Sequence, residues 1–313
     1  TPTPNHIVYT FKKERMMVMS LQGYDFDKCN KLFLEQLRRQ EYSKETIDGY
    51  RKDLENFRCF MRTVISKEDF SVDLINKRVL LDFMDAGRVR GNKASTIGRR
   101  LSTLKSFYKF LVYELDYPVD EAARIRTPKV YVPLKDILSA AEVQRLLQSA
   151  KQLPPCYSLL FNALYYTGSR LTPIRMLEKQ HVHLKEKLIY LSEVKGGKDH
   201  YLPLHPHLKD LFESYFTEHL STTSNYVFPS NRIPSQPLSA SDIRNKLRYA
   251  ARLADLSETI TPHTLRHCTA THLTIQNVPQ TKIATILGHA DLRSTMRYQH
   301  LAVEHLRDSL DLL

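Results

Sequence analysis

"PHTLRHCTATHL", Pro262 to Leu273, opens with a histidine and an arginine and then reads as core. Thr261 ahead of it suits a helix N-cap. Pro262 suits the first helical position, where a missing N–H costs nothing. His263 and Arg266 then share one face in the first turn, beside free backbone N–H groups and the positive end of the helix dipole. The spacing predicts an anion site at the helix start, and a phosphate fits it. "TATHL" reads as the buried part that anchors the helix, and His267 faces away from Arg266.

Working outward, "TGSRLTPIRML" (Thr167–Leu177) follows the same logic. Gly168 ends a helix, Arg170 projects from the loop, and a new helix is expected to open with Thr172 as N-cap and Pro173 at its first position. Two arginines suit a phosphodiester transition state, because guanidinium forks grip its charged oxygens in pairs. "VKGGKDHYLPL" (Val194–Leu204) sets Lys195 in a glycine turn between strands, where a lysine can supply charge or a proton. "LGHADLRSTMRYQHL" (Leu287–Leu301) places His289 after a glycine and Tyr298 after a polar stretch. A phenol with a pKa near 10 becomes a nucleophile only where cations stabilise its phenolate.

The chain's 313 residues are long enough for two cores, and a formal charge of +12 points to a polyanionic partner, nucleic acid first. No apolar run approaches the roughly 20 residues of a membrane span, and no basic-then-apolar leader opens the sequence. Cys29, Cys59, Cys156 and Cys268 are far apart, without metal or disulfide spacing, so a reducing intracellular compartment is expected.

Long stretches of good helix formers with helical periodicity predict a mainly α protein. Residues 1–23, with "FKKERMMVMS", form an N-terminal arm or lead-in. Residues 24–116 hold four helices: "FDKCNKLFLEQLRR"; "SKETIDGYRKDLENFRCFMRTV", capped by Ser43, with Glu45, Asp48 and Asp53 in the half that suits negative charge; "VDLINKRVLLDFMDAGR"; and "KASTIGRRLSTLKSFYKFLVYEL". Residues 117–135, with their prolines and basic residues, read as an extended interdomain linker. Residues 136–300 form a second, mostly helical domain with a small antiparallel sheet made by "KLIYLSE" and "HYLPL". Residues 301–313 carry a leucine stripe.

The fourth helix and the loop before it carry Arg88, Arg90, Lys93, Arg99, Arg100, Lys105 and Lys109, with no acid between Ala86 and Tyr113. The apolar set Ile97, Leu101, Leu104, Phe107, Tyr108 and Leu111 falls on another stripe. The basic set is a candidate phosphate-contacting face.

The ordered motifs "TGSRLTPIRML", "VKGGKDHYLPL", "HTLRHCTATHL" and "LGHADLRSTMRY…QHL" resemble those of the tyrosine recombinase, or phage integrase, family, of the Xer-like, transposon- or phage-borne kind. The resemblance covers the second domain. The first resembles the family's core-binding domain less specifically. It implies a site-specific DNA recombinase for integration, excision or resolution. Tyr298 attacks the scissile phosphate to form a 3′-phosphotyrosyl bond. Arg170 and Arg266 stabilise phosphoryl charge, Lys195 protonates the leaving 5′-oxygen, His263 takes up the tyrosine proton, and His289 bonds a phosphate oxygen. It implies no metal, no cofactor and no ATP, because the cations supply the charge and the covalent bond conserves the energy. The implied partners are double-stranded DNA with a specific recombination site and a homotetramer, a pair of dimers, on that DNA, with no membrane. The final helix would dock on a neighbouring protomer, and the setting would be the bacterial cytoplasm at the nucleoid. One departure stands out: Pro173 occupies the place of the family's usual acidic residue. Lys198 competes with Lys195 for its role. Two alternatives stay open, a type IB topoisomerase and a DNA-binding protein of this fold with reduced catalysis.

Overall fold

The computed structural model describes residues 24–128, 137–192, 200–219 and 224–288. The chain divides into two compact units, Thr1–Pro133 and Leu134–Leu313.

In the first unit, α1 (Phe26–Arg39) starts where Asp25 accepts a hydrogen bond from the Lys28 N–H. Its apolar residues Phe26, Cys29, Phe33, Leu34 and Leu37 recur at helical spacing and are buried. Ser43 caps α2 (Lys44–Ile65). The third helix expected from Val72 is broken. Val72–Leu74 make a short 3-10 turn, and α3 (Lys77–Val89) starts only after Asn76, whose side chain accepts from the Val79 N–H at 3.1 Å. An Asn that offers the backbone a cap competes with helix continuation. α4 (Ala94–Leu115) buries the whole predicted apolar set, Ile97, Leu101, Leu104, Phe107, Tyr108 and Leu111. Phe26, Phe57 and Phe107 are fully buried at the centre of this unit, each worth about 1.5–3 kcal/mol of transfer free energy.

The extended form expected of residues 117–135 fails over residues 117–125. Tyr117, Ala122 and Ile125 are buried in the first unit's core. The Tyr117 hydroxyl donates to Asp73 at 3.1 Å, and the Glu121 carboxylate accepts from the Lys77 N–H at 3.0 Å, at the positive end of α3. Three buried residues in a stretch with prolines are too few to leave a periodic signature.

The second unit begins with α5 (Ala140–Ser149), opened by a complete capping box between Ser139 and Glu142. Next come α6 (Pro155–Thr167) and α7 (Leu171–Arg175). The sheet has one strand more than expected: β1 (Val182–His183) pairs antiparallel with β2 (Leu188–Leu191), which pairs antiparallel with β3 (His200–Pro203). α8 (Pro206–Glu218), α9 (Ala240–Leu253), α10 (Pro262–Ile275) and α11 (Gln280–Leu287) complete the described part. Ile189, Leu191 and Leu202 turn into the core with Phe161, Phe212 and Phe228. No helix among the described residues is long and apolar enough to cross a membrane.

Candidate active site

The site is organised around one glycine. Gly168 ends α6 in the left-handed conformation, φ +59°, which a side chain adopts only at a cost. A Cβ built there would lie 2.6 Å from Leu287 Cδ2 and 3.1 Å from Thr269 Cγ2. The end of α6, the middle of α10 and the end of α11 therefore meet where one of them has no side chain. Thr269 fixes the same crossing, its hydroxyl donating to the carbonyls of Tyr165 at 2.6 Å and Leu265 at 3.0 Å.

Arg266 is buried at this crossing, 4% exposed. Its Nη1 donates to the Gly168 carbonyl at 2.9 Å. That carbonyl stands at the negative end of α6, where a cation is favoured. Two residues further on is Arg170. It is half-buried and is itself the N-cap of α7, with φ −69° and ψ 159°. The expected start at Thr172 is thus corrected by two residues. Pro173 becomes the third helical residue, still among the first four whose N–H has no partner within the helix, so it costs no helical hydrogen bond. It is buried. His263 is exposed in the first turn of α10, which Thr261 and Thr264 close by capping each other's backbone N–H. Arg266 thus meets the end of α6 two residues before Arg170, with His263 one turn earlier on α10.

The remaining predicted residues, Lys195, its rival Lys198, His289 and Tyr298, lie outside the described residues, as do the arm 1–23 and the final helix 301–313. Their flanks are described. β2 and β3 pair from Leu188↔Pro203 to Leu191↔His200, so Lys195 belongs to the connection of an antiparallel hairpin. Gly288, φ +63°, ends α11 immediately before His289, and the Leu287 side chain lies against Gly168.

One positioning residue was passed over. "TATHL" anchors α10 by hydrogen bonds as well as by apolar burial. His272 bonds the Tyr165 hydroxyl through Nδ1 and the Leu138 carbonyl through Nε2, both at 2.9 Å. A carbonyl only accepts, so Nε2 donates to Leu138, and when the ring is neutral Nδ1 accepts from the phenol. Burial, with neighbouring Tyr166, pushes the Tyr165 phenol up to about 12. The signal available in the sequence was a lone histidine in an otherwise inward-facing turn.

The cations of the first unit differ in their surroundings. Arg88 pairs with Asp85. Arg90 closes α3 and Lys93 is the N-cap of α4. Arg99 pairs with Asp53, and Arg100 donates to Asn56 at 3.3 Å. Lys109 lies nearer the C-terminal end of α4, in a groove with Phe33, Tyr42, Tyr50 and Tyr113. Asp53, placed by the sequence in the half of α2 that suits negative charge, is also buried, 3% exposed. Among the described residues no group of three or more His, Cys, Asp or Glu is placed to hold a metal ion.

The chain matches the phage integrase family over residues 136–305 and the phage integrase N-terminal SAM-like domain over residues 31–114. It is 30% identical over 275 residues to the tyrosine recombinase XerD of Oceanobacillus iheyensis, covering 85% of this chain and 91% of that protein. To the XerD of Caulobacter vibrioides it is 29% identical over 287 residues, covering 88% and 92%. The crystal structure of XerA recombinase aligns with a TM-score of 0.52 at 26% identity, covering 92% of this chain and 98% of that one. A lambda integrase tetramer bound to a Holliday junction aligns at 0.72 and 17% identity, covering 88% and 78%, a likeness of fold.

Proposed function

The chain belongs to the phage integrase family, and from that premise we propose that it is a site-specific DNA recombinase working through a 3′-phosphotyrosyl intermediate. The Tyr298 hydroxyl attacks the scissile phosphorus. The phosphorus–oxygen bond to the 5′ side breaks, and the tyrosine proton passes to His263. Lys195 protonates the leaving 5′-oxygen. Arg170, Arg266 and His289 hold the phosphoryl oxygens as their charge grows. Attack by a 5′-hydroxyl from a partner strand reverses the step, so bonds and protons balance without a further reactant.

The observation that carries this reading is the Arg266 hydrogen bond to the Gly168 carbonyl. It anchors one guanidinium, nine-tenths buried, on a carbonyl two residues before Arg170, and such pre-orientation is what the transition state of phosphoryl transfer uses. In this reading residues 24–116 and 136–300 are DNA-binding and catalytic domains, and Arg88, Arg90, Lys93, Arg99, Arg100, Lys105 and Lys109 contact DNA. The protein assembles as a tetramer on its site. Residues 301–313 dock on a neighbouring protomer, and the protein works in the bacterial cytoplasm at the nucleoid.

The test is a nicked suicide duplex carrying a selected site, incubated with the full chain. A covalent protein–DNA adduct is expected with the wild type and is absent with Tyr298→Phe. An adduct that survives Tyr298→Phe refutes the nucleophile. Relaxation of a plasmid without strand exchange between two sites refutes the recombinase.

A further inference from the structure

We propose that Arg99 is a specificity-determining residue that reads a guanine edge in the DNA site, and that the buried carboxylate of Asp53 is its positioning residue. The inference deepens the recombinase reading and rests on it.

Asp53 lies on α2 and Arg99 on α4, 46 positions apart. The Asp53 Oδ2 accepts from Arg99 Nη1 and from the Thr103 hydroxyl at 2.9 Å. Thr103 is one helical turn beyond Arg99 and is itself buried. A buried anion therefore takes one edge of a guanidinium whose side chain is 55% exposed. The next residue repeats the arrangement. Arg100 Nη2 donates to the Asn56 Oδ1, and the Asn56 Nδ2 donates to the Lys52 carbonyl at 2.8 Å, which fixes the orientation of the amide. Two successive arginines of α4 are thus each gripped by a side chain of α2, from positions 53 and 56.

A cation that serves only to neutralise phosphate works by its charge and its reach. A buried carboxylate beside it subtracts that charge and reduces the counterions released on binding. Base recognition has the opposite need. Guanine offers O6 and N7 side by side in the major groove, and a planar fork held at one angle meets both. Guanidinium has five N–H donors, so one given to Asp53 leaves the opposite edge of the fork to donate. Holding the side chain before DNA arrives removes part of the ordering cost of binding. A purely structural staple between α2 and α4 is the weaker account. The packing of Leu54, Phe57, Leu101, Leu104 and Phe107 already joins these helices, and a paired buried charge adds little net stability over apolar packing.

The experiment uses the full chain and a library of randomised DNA duplexes. Wild-type protein selects a consensus, and affinities for the consensus and for each single base-pair variant are measured at several salt concentrations. Arg99→Ala should lose preference at one G·C pair, a roughly 10-fold or larger discrimination falling towards none. The slope of affinity against salt should stay unchanged. Asp53→Asn keeps an acceptor for Thr103 and should relax the same pair in part, and Arg99→Lys should not restore it. Uniform weakening across all variants, with the salt slope reduced by about one, makes Arg99 a phosphate contact and overturns the proposal. A lower melting temperature for Asp53→Asn with intact base preference overturns Asp53 as a positioning residue. If the wild type selects no sequence at all, the recombinase reading itself fails and takes this inference with it.

Discussion

Among the described residues each unit buries one charged side chain, and the two are used in opposite ways. Arg266 in the second unit meets a neutral carbonyl, a contact that orients the guanidinium without cancelling its charge. Asp53 in the first unit meets Arg99, a contact that orients a guanidinium by cancelling much of its charge. Chemistry on a phosphate needs positive charge at a fixed point, so a dipole is the suitable anchor. Recognition of a base edge needs direction more than charge, so an anion serves. The same side chain type is held in both units, and the holding group decides what it can do.

The comparison is tested most severely at Arg266. Arg266→Ala should slow adduct formation in single-turnover cleavage by on the order of 10²–10³ on every DNA site, and Arg266→Lys should recover little, because an ammonium cannot reproduce the fork. Asp53→Ala should leave the cleavage rate of bound substrate unchanged. Equal losses in the two variants would erase the distinction.

Next in size is the crossing that carries Arg266. Gly168→Ala adds a left-handed alanine and a contact that Leu287 must yield to, about 2–4 kcal/mol together, read as a lower urea midpoint for the second unit. A change below about 1 kcal/mol would mean that α11 can shift away from α6.

A smaller effect follows from the tyrosines that anchor both units. Burial raises the phenols of Tyr108 and Tyr117 in the first unit, and of Tyr157 and Tyr165 in the second. The folded state holds these protons above the unfolded value near 10, so the stability they supply is complete below that pH and is lost as pH rises from there through the raised folded values. For Tyr165, raised to about 12, the loss is about 1 kcal/mol by pH 11. Urea midpoints at pH 9 and pH 11 measure it, and Tyr165→Phe should flatten the second unit's share.

The smallest expected change is at Ser169, beside Arg170. Its hydroxyl is buried with no hydrogen-bond partner among the described residues, so Ser169→Ala should be neutral or stabilising by up to about 1 kcal/mol, with adduct formation unchanged. A marked loss of cleavage would give that hydroxyl a part in the reaction.

Much of the fold was legible because its signals are local. Ser43, Ser139 and Thr261 each cap the helix whose start they announced, and Gly168 ends α6 in the conformation that glycine favours. The proposed site was legible through motif order, since Arg170, His263 and Arg266 come from segments that mean little singly. What escaped depends on partners distant in the chain. Asp53 sits where a local reading assigns it to the helix dipole, and only folding brings Arg99 and Thr103 to it. Thr172 followed by Pro173 imitates a helix start, while the backbone turns helical one residue after Arg170. Prolines near Tyr117 announced a linker, yet Asp73 and the start of α3 hold that stretch against the first unit.

The imidazole of His272 offers a way to watch the second unit in solution. Both ring nitrogens are engaged, one with a phenol of α6 and one with the backbone just ahead of α5, so the ring is confined to a single tautomer. In a sample with nitrogen-15 histidine it should give one protonated and one unprotonated nitrogen signal, with an N–H proton slow to exchange with water. Assigned by its disappearance in His272→Gln, this resonance reports at once whether α6, α10 and the backbone ahead of α5 are joined, with no substrate present.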